Sequence, residues 1–152
     1  MSEKEKTALR KVVISHSGKF DVSKFQRYVN LDIPKISAIF RFVDACDISR
    51  NRAPKEVLEF FGEDIPLVNR VYWLAHANIL DVAFVPRKRS IKVVIVLAKP
   101  IGTIRQLKHL IHNLASGKVA RLSRQDYVDI LTAYKCIELI DDVKNEAKRV
   151  NG

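Results

Sequence analysis

Between residues 82 and 125 the chain has no aspartate and no glutamate, yet it carries ten lysines and arginines there: Arg87, Lys88, Arg89, Lys92, Lys99, Arg105, Lys108, Lys118, Arg121 and Arg124. Outside those 44 residues, 17 basic side chains face 17 acidic ones, so the whole net charge of +10 belongs to one stretch. An even spread of charge would speak to solubility. A stretch of one sign raises the local concentration of polyanions and points to an anionic partner.

Other scarcities exclude whole classes. There are only two cysteines, Cys46 and Cys136, both in apolar surroundings, which reads as two buried free thiols and excludes a disulfide framework or a zinc spacing. No apolar run approaches the roughly 18 residues of a membrane span, the longest being residues 93–98. The start, Met1-Ser2-Glu3-Lys4-Glu5-Lys6, is too charged for a signal peptide, so a cytoplasmic chain without a membrane partner is expected. Glycine-rich phosphate loops, serine-nucleophile elbows and paired catalytic carboxylates are missing. His109 and His112 stand three apart with no Asp, Glu or Cys near in sequence, so neither a metal nor another cofactor is expected. A chain of 152 residues with 47% apolar and 29% charged residues folds as a globular domain with a real core.

The apolar periodicity predicts a mainly α fold with a small inserted β-hairpin: one domain over residues 1–152, with a helical body at 1–78 and 102–152 and the β-element at 79–101. Ser2 with Glu5 is a capping-box signature for a helix over residues 3–15. Asp21 can cap a short helix to residue 29, with Phe25 and Val29 on one side and a break at Asn30-Leu31. Pro34 suits the first turn of the next helix, whose apolar stripe is Ile36, Ile39, Phe40 and Val43. After a polar loop at residues 49–52, Pro54 starts a helix that Gly62 closes. Asp64 and Pro66 open another, through Val71, Leu74 and Ala75 to about Asn78. Residues 82–85 and 91–97 are β-branched and strand-like. The second run is apolar on both faces, so it should be covered by helices or should lend its edge to a neighbour, giving weak self-association. Thr103 caps a helix to Ser116, with Gly117 as its stop. Ser123 with Asp126 opens a final helix to about Arg149, with Tyr127, Ile130, Tyr134 and Ile137 as its core stripe.

In the helix after the hairpin, Ile104, Leu107, Ile111 and Leu114 should face the core. Arg105, Lys108, His109 and His112 recur at helical spacing on the other side, with no carboxylate nearby in sequence to pair them. Phosphate binding needs long donors in a line without a competing anion. Lys118, Arg121 and Arg124 extend that supply, and the tip Arg87-Lys88-Arg89 can lie along a phosphate backbone. The aromatic residues Phe20, Tyr28, Phe40, Phe42, Phe60 and Phe61 sit at helical spacings and read as core.

Two other functions fit parts of the chain. A winged helix-turn-helix regulator would use residues 21–29 and 34–46, with Lys35, Ala38 and Arg41 facing a DNA groove. A helical ribonuclease of the HEPN type would use an Arg/His pair spaced like Arg10–His16, Arg70–His76 or Arg105–His112. For Arg70–His76 the plainer reading is a histidine packed beside the core.

In its length, its helix-rich pattern, the β-element around residues 82–97 and the basic stretch from Arg87 to Arg124, the chain resembles the small subunit of the archaeal type I-A CRISPR interference complex, Cascade. The resemblance covers the whole chain and implies a subunit with no active site, which lines the filament of a ribonucleoprotein and meets DNA or RNA through basic surfaces. It supplies no short motif and assigns no residue. The expected function is non-enzymatic nucleic-acid binding, largely independent of base sequence, among other protein subunits.

Overall fold

The computed structural model describes residues 1–17, 21, 24, 31–62, 64–100, 102–118 and 122–151. Among them lie six α-helices and one two-stranded antiparallel sheet, the mainly α fold with a small β-hairpin that the periodicity implies. The short helix expected at 21–29, with Phe25 and Val29, lies largely outside the described residues, as do Phe20, Tyr28 and Asn30. The chain divides into two compact units, Met1–Asp47 with Asp142–Gly152, and Ile48–Asp141.

The first unit holds α1 (Glu3–Ser15), α2 (Ile33–Cys46) and the last turns of α6 (Arg124–Asn151). The Ser2 capping box forms: the Ser2 N–H donates to Glu5 Oε2 at 2.6 Å, and the Glu5 N–H to Ser2 Oγ at 3.3 Å. Helix α2 is capped by Asp32, whose Oδ1 accepts from the Lys35 N–H.

The inner face of α2 is not the expected one. Ile33, Ser37, Ala38 and Arg41 are buried, whereas Ile36, Ile39, Phe40 and Val43 are exposed. The cause is an ion pair remote in sequence. Arg41, 9% exposed, donates through Nη2 to Glu146 Oε1 at 2.7 Å, and Glu146 is itself 13% exposed. Turning Arg41 inward carries Ser37 and Ala38 with it, because positions three and four apart share a helix face. The groove-facing role of Ala38 and Arg41 is therefore corrected: both are interior, and only Lys35 of that trio is exposed. Cys46 is half-buried rather than buried, while Cys136 in the second unit is buried, and both are free thiols.

The second unit runs from a 3-10 turn at Arg50–Arg52 through α3 (Lys55–Phe61) and α4 (Leu67–Asn78). It continues into β1 (Ile79–Val85), a 3-10 turn at Pro86–Lys88, β2 (Ser90–Ile95), α5 (Ile104–Ala115) and the first part of α6. Helix α4 passes straight into β1, so that strand begins three residues before the expected start. The register pairs Val82 with Val93, Phe84 with Ile91 and Val85 with Ser90, with an irregularity between Ile79 and Asp81. Strand β2 is half-buried rather than covered on both faces, and Phe84 on β1 is exposed.

The core of this unit gathers Leu107, Ala133 and Ile137, with Leu97, Ile111, Ile130 and Tyr134 packed against them. Ile104 and Tyr127, expected inside, are exposed, since each sits in the first turn of its helix beyond the reach of that cluster. Phe60 and Phe61 are exposed as well. They end a seven-residue helix without buried residues, and their rings meet edge to face at 4.7 Å. His76 is buried, and its Nδ1–H donates to the Ile48 carbonyl at 2.8 Å, which fixes the tautomer at that nitrogen. Cys136 donates its S–H to the Ala75 carbonyl at 3.5 Å, and burial pushes its thiol up to about 12.

Candidate nucleic-acid interface

All of the described basic residues of the stretch between residues 82 and 125 fall in the second unit. At the hairpin tip, Pro86 starts the 3-10 turn and Arg87, Lys88 and Arg89 are all exposed. None of the three has an ion-pair or hydrogen-bond partner for its side chain among the described residues. Arg89 lies in the left-handed region with φ at +47°, the one non-glycine residue there with positive φ among those described. A side chain at that position costs about 1 kcal/mol relative to glycine, so the turn carries a charge where an uncharged residue would be easier to hold.

Helix α5 is held at both ends by local chemistry. The Gln106 N–H donates to Thr103 Oγ1 at 3.2 Å and the Thr103 N–H to Gln106 Oε1 at 2.7 Å. At the other end Gly117, at φ +67°, lets the Lys118 N–H reach the Asn113 carbonyl at 2.9 Å. Leu107 anchors the inner face at 0% exposure, and Arg105, Lys108, His109 and His112 are all exposed on the outer one. The stripe thus stands where the spacing puts it. Lys118 and Arg124 are exposed too, whereas Arg121 lies outside the described residues.

The stretch without acids in sequence is not without acids in space. Lys99 pairs with Asp126, and lies 3.9 Å from Asp129 Oδ2, while Lys108 Nζ is 3.6 Å from Asp141 Oδ2. Helix α6 supplies all three carboxylates, so the expectation that the α5 stripe has no acid partner is corrected for Lys108. The hydrogen bond to Asp126 raises Lys99 above the ordinary lysine value. In return the hydrogen bonds from Lys99 and Ser123 hold the Asp126 carboxyl below the ordinary aspartate value. Sequence reasoning missed Asp126, Asp129 and Asp141 as partners. Ser123 with Asp126 is legible as a helix start, but nothing in local spacing tells that the same carboxylate reaches Lys99, 27 residues away.

Seven cations of the stretch remain exposed without an acid partner among the described residues: Arg87, Lys88, Arg89, Lys92, Arg105, Lys118 and Arg124. They can take up phosphate oxygens without first breaking an ion pair. The three Arg/His spacings are scattered. His16 is held 3.4 Å from Asp44, His76 is buried, and Arg105 and His112 are both on the solvent face. Among the described residues no three His, Cys, Asp or Glu side chains gather as a metal site would require, and no helix is long and apolar enough to cross a membrane.

Comparison with known proteins yields one relationship. The family model described as HD-CE matches residues 2–119, so the chain belongs to the HD-CE family. No curated protein and no solved structure matches it.

Proposed function

We propose that this member of the HD-CE family is a non-enzymatic nucleic-acid-binding subunit, which grips the phosphate backbone of DNA or RNA largely without regard to base sequence. Membership of HD-CE is the coarse relationship. The place of a small subunit in a CRISPR interference ribonucleoprotein is the finer reading that the resemblance in length, pattern and basic stretch adds. One observation carries the binding reading: seven exposed cations from a single stretch have no carboxylate to pair with among the described residues. Solvated protein surfaces normally mix both signs of charge. The left-handed Arg89 supports the same reading, because local strain retained at a tip is more readily explained by contact with a ligand than by stability.

The two competing readings lose their best residues. A groove-reading helix needs Ala38 and Arg41 outward, and both are interior. A ribonuclease built on Arg70 and His76 needs the imidazole within reach of RNA, and His76 is 1% exposed.

The test is a salt titration with single-stranded and duplex 30-mers of random sequence, beside a ribonuclease time course. Seven phosphate contacts give a slope of log K against log salt of about −5 on a single strand and about −6 on duplex. A flat salt response would remove the reading. So would binding to one duplex sequence a thousandfold or more above random, or RNA cleavage that His76→Ala abolishes in a folded protein.

A further inference from the structure

Arg70 was set aside above as half of a catalytic pair, but it stands in a different setting. A cleft of about 510 Å³ opens within the second unit where the start of α4 meets the start of α6, lined by Ile65, Leu67, Arg70, Arg124, Gln125 and Val128. No carboxylate lines it among the described residues. Arg70 is half-buried, and its Nε is shut off from solvent without a hydrogen-bond partner. Its Nη1 and Nη2 are not shut off in this way and make no hydrogen bond among the described residues, so they are the donors that can meet an acceptor from outside the chain. Arg124, the first residue of the 28-residue helix α6, is exposed and likewise has no acid partner among the described residues. The positive end of the α6 dipole lies at the same place. The Gln125 Nε2–H is engaged by Asp129 Oδ1 at 2.7 Å, which leaves the amide oxygen as an acceptor. Ile65, Leu67 and Val128 add apolar wall.

Two unpaired guanidiniums match an anion of two charges better than the single charge of a phosphodiester, and planar forks suit phosphate oxygens. The cleft is also far larger than a bare phosphate needs and falls in the range of small-molecule sites. A larger cleft of about 890 Å³ also includes Arg70, but Glu56 and Glu59 line it, which makes it the poorer place for an anion.

We infer that the Arg70–Arg124 cleft binds a nucleotide with a terminal phosphate, the phosphate on the two arginines and the sugar or base against Ile65, Leu67 and Val128. Two sources offer this chemistry: a free mononucleotide, or the phosphorylated end of a strand. Arg124 is shared with the phosphate-backbone surface proposed above, whereas Arg70 belongs to the cleft alone, and this separates the two ideas.

The experiment is calorimetric titration of the full chain with AMP and with adenosine, repeated on Arg70→Gln and Arg124→Gln. AMP should bind at least about 10-fold tighter than adenosine, and each variant should lose about 10- to 100-fold in AMP affinity, the worth of a charge-assisted phosphate contact. Competition then identifies the source. A 5′-phosphorylated 12-mer that displaces AMP where its 5′-hydroxyl twin does not marks a strand end, and failure of both marks a free nucleotide. AMP binding no tighter than adenosine overturns the inference. So does unchanged AMP affinity in Arg124→Gln, which is exposed and should fold even if Arg70→Gln does not. Reversal of Arg105 and Lys108 should leave AMP binding as it was. If that reversal fails to weaken strand binding, the backbone reading falls and the cleft is untouched.

Discussion

Replacing Arg105 and Lys108 together by glutamate should weaken nucleic-acid binding by about two orders of magnitude. Each phosphate contact releases about 0.7–0.9 of a counterion, so at 0.1 M salt a lost contact forfeits a factor of about 6. Arg105 is exposed without a partner and counts in full. Lys108 is shared with Asp141 at 3.6 Å and counts for less. Neutralising both would therefore cost between about 6- and 40-fold, and reversal adds repulsion of similar size. The salt slope should become shallower by about 1 to 2. Stability should change little, because the Lys108–Asp141 pair is half-exposed and such pairs contribute about 0–1 kcal/mol. Its reversal should lower Tm by no more than about 4 °C in a chain of this size. The assay is fluorescence anisotropy with a labelled 30-mer at several salt concentrations, with a thermal melt of each variant. Parent-like affinity and slope in a double variant that melts normally would show the α5 stripe to be only a solvated face.

Asp141→Asn should release Lys108 and raise affinity a few-fold, up to about 6-fold, with a steeper salt slope in the same assay, and Asp126→Asn should do less because Lys99 keeps Asp129 at 3.9 Å. Because the folded Asp126 carboxyl lies below its unfolded value, the Lys99–Asp126 contribution is present above the ordinary aspartate range and lost as pH falls through the lowered one. The gap in denaturant midpoint between parent and Lys99→Met should accordingly close at acid pH. Arg89→Gly should relieve the left-handed backbone and stabilise the protein by up to about 1 kcal/mol, while weakening strand binding about 6-fold; urea melts and anisotropy read the two effects separately. Arg41→Met should cost about 3 kcal/mol or more by leaving Glu146 buried with only Arg149, and adding Glu146→Leu should recover most of it in urea melts. With the Cys136 thiol pushed up to about 12, the unfolded chain loses this proton first, and between about pH 9 and 12 stability should fall by up to about 1.4 kcal/mol per pH unit more in the parent than in Cys136→Ala.

The chain's local chemistry determined where most elements begin and end. Ser2 with Glu5 and Thr103 with Gln106 read as capping boxes and form them, because cap and partner lie three residues apart and need nothing else. Gly117 stops α5, Pro66 opens α4, and β-branched residues make the hairpin for equally local reasons. The outward stripe of Arg105, Lys108, His109 and His112 was legible because the helical period fixes which residues share a face, and Leu107 leaves little doubt which face goes inside.

Where two faces competed, the tertiary structure decided. On α2 the apolar stripe promised the core to Ile36, Ile39, Phe40 and Val43, but Arg41 found Glu146, 105 residues away, and turned the other face inward. The same holds for the charge. The sequence put ten cations in one stretch, yet only the fold brought Asp126, Asp129 and Asp141 of α6 to Lys99 and Lys108. It also brought Arg70 and Arg124 to one cleft that no carboxylate lines among the described residues. Caps and periods are set by neighbours along the chain, and so can be read from it. Partners of a charge are set by proximity in space, which linear spacing does not record.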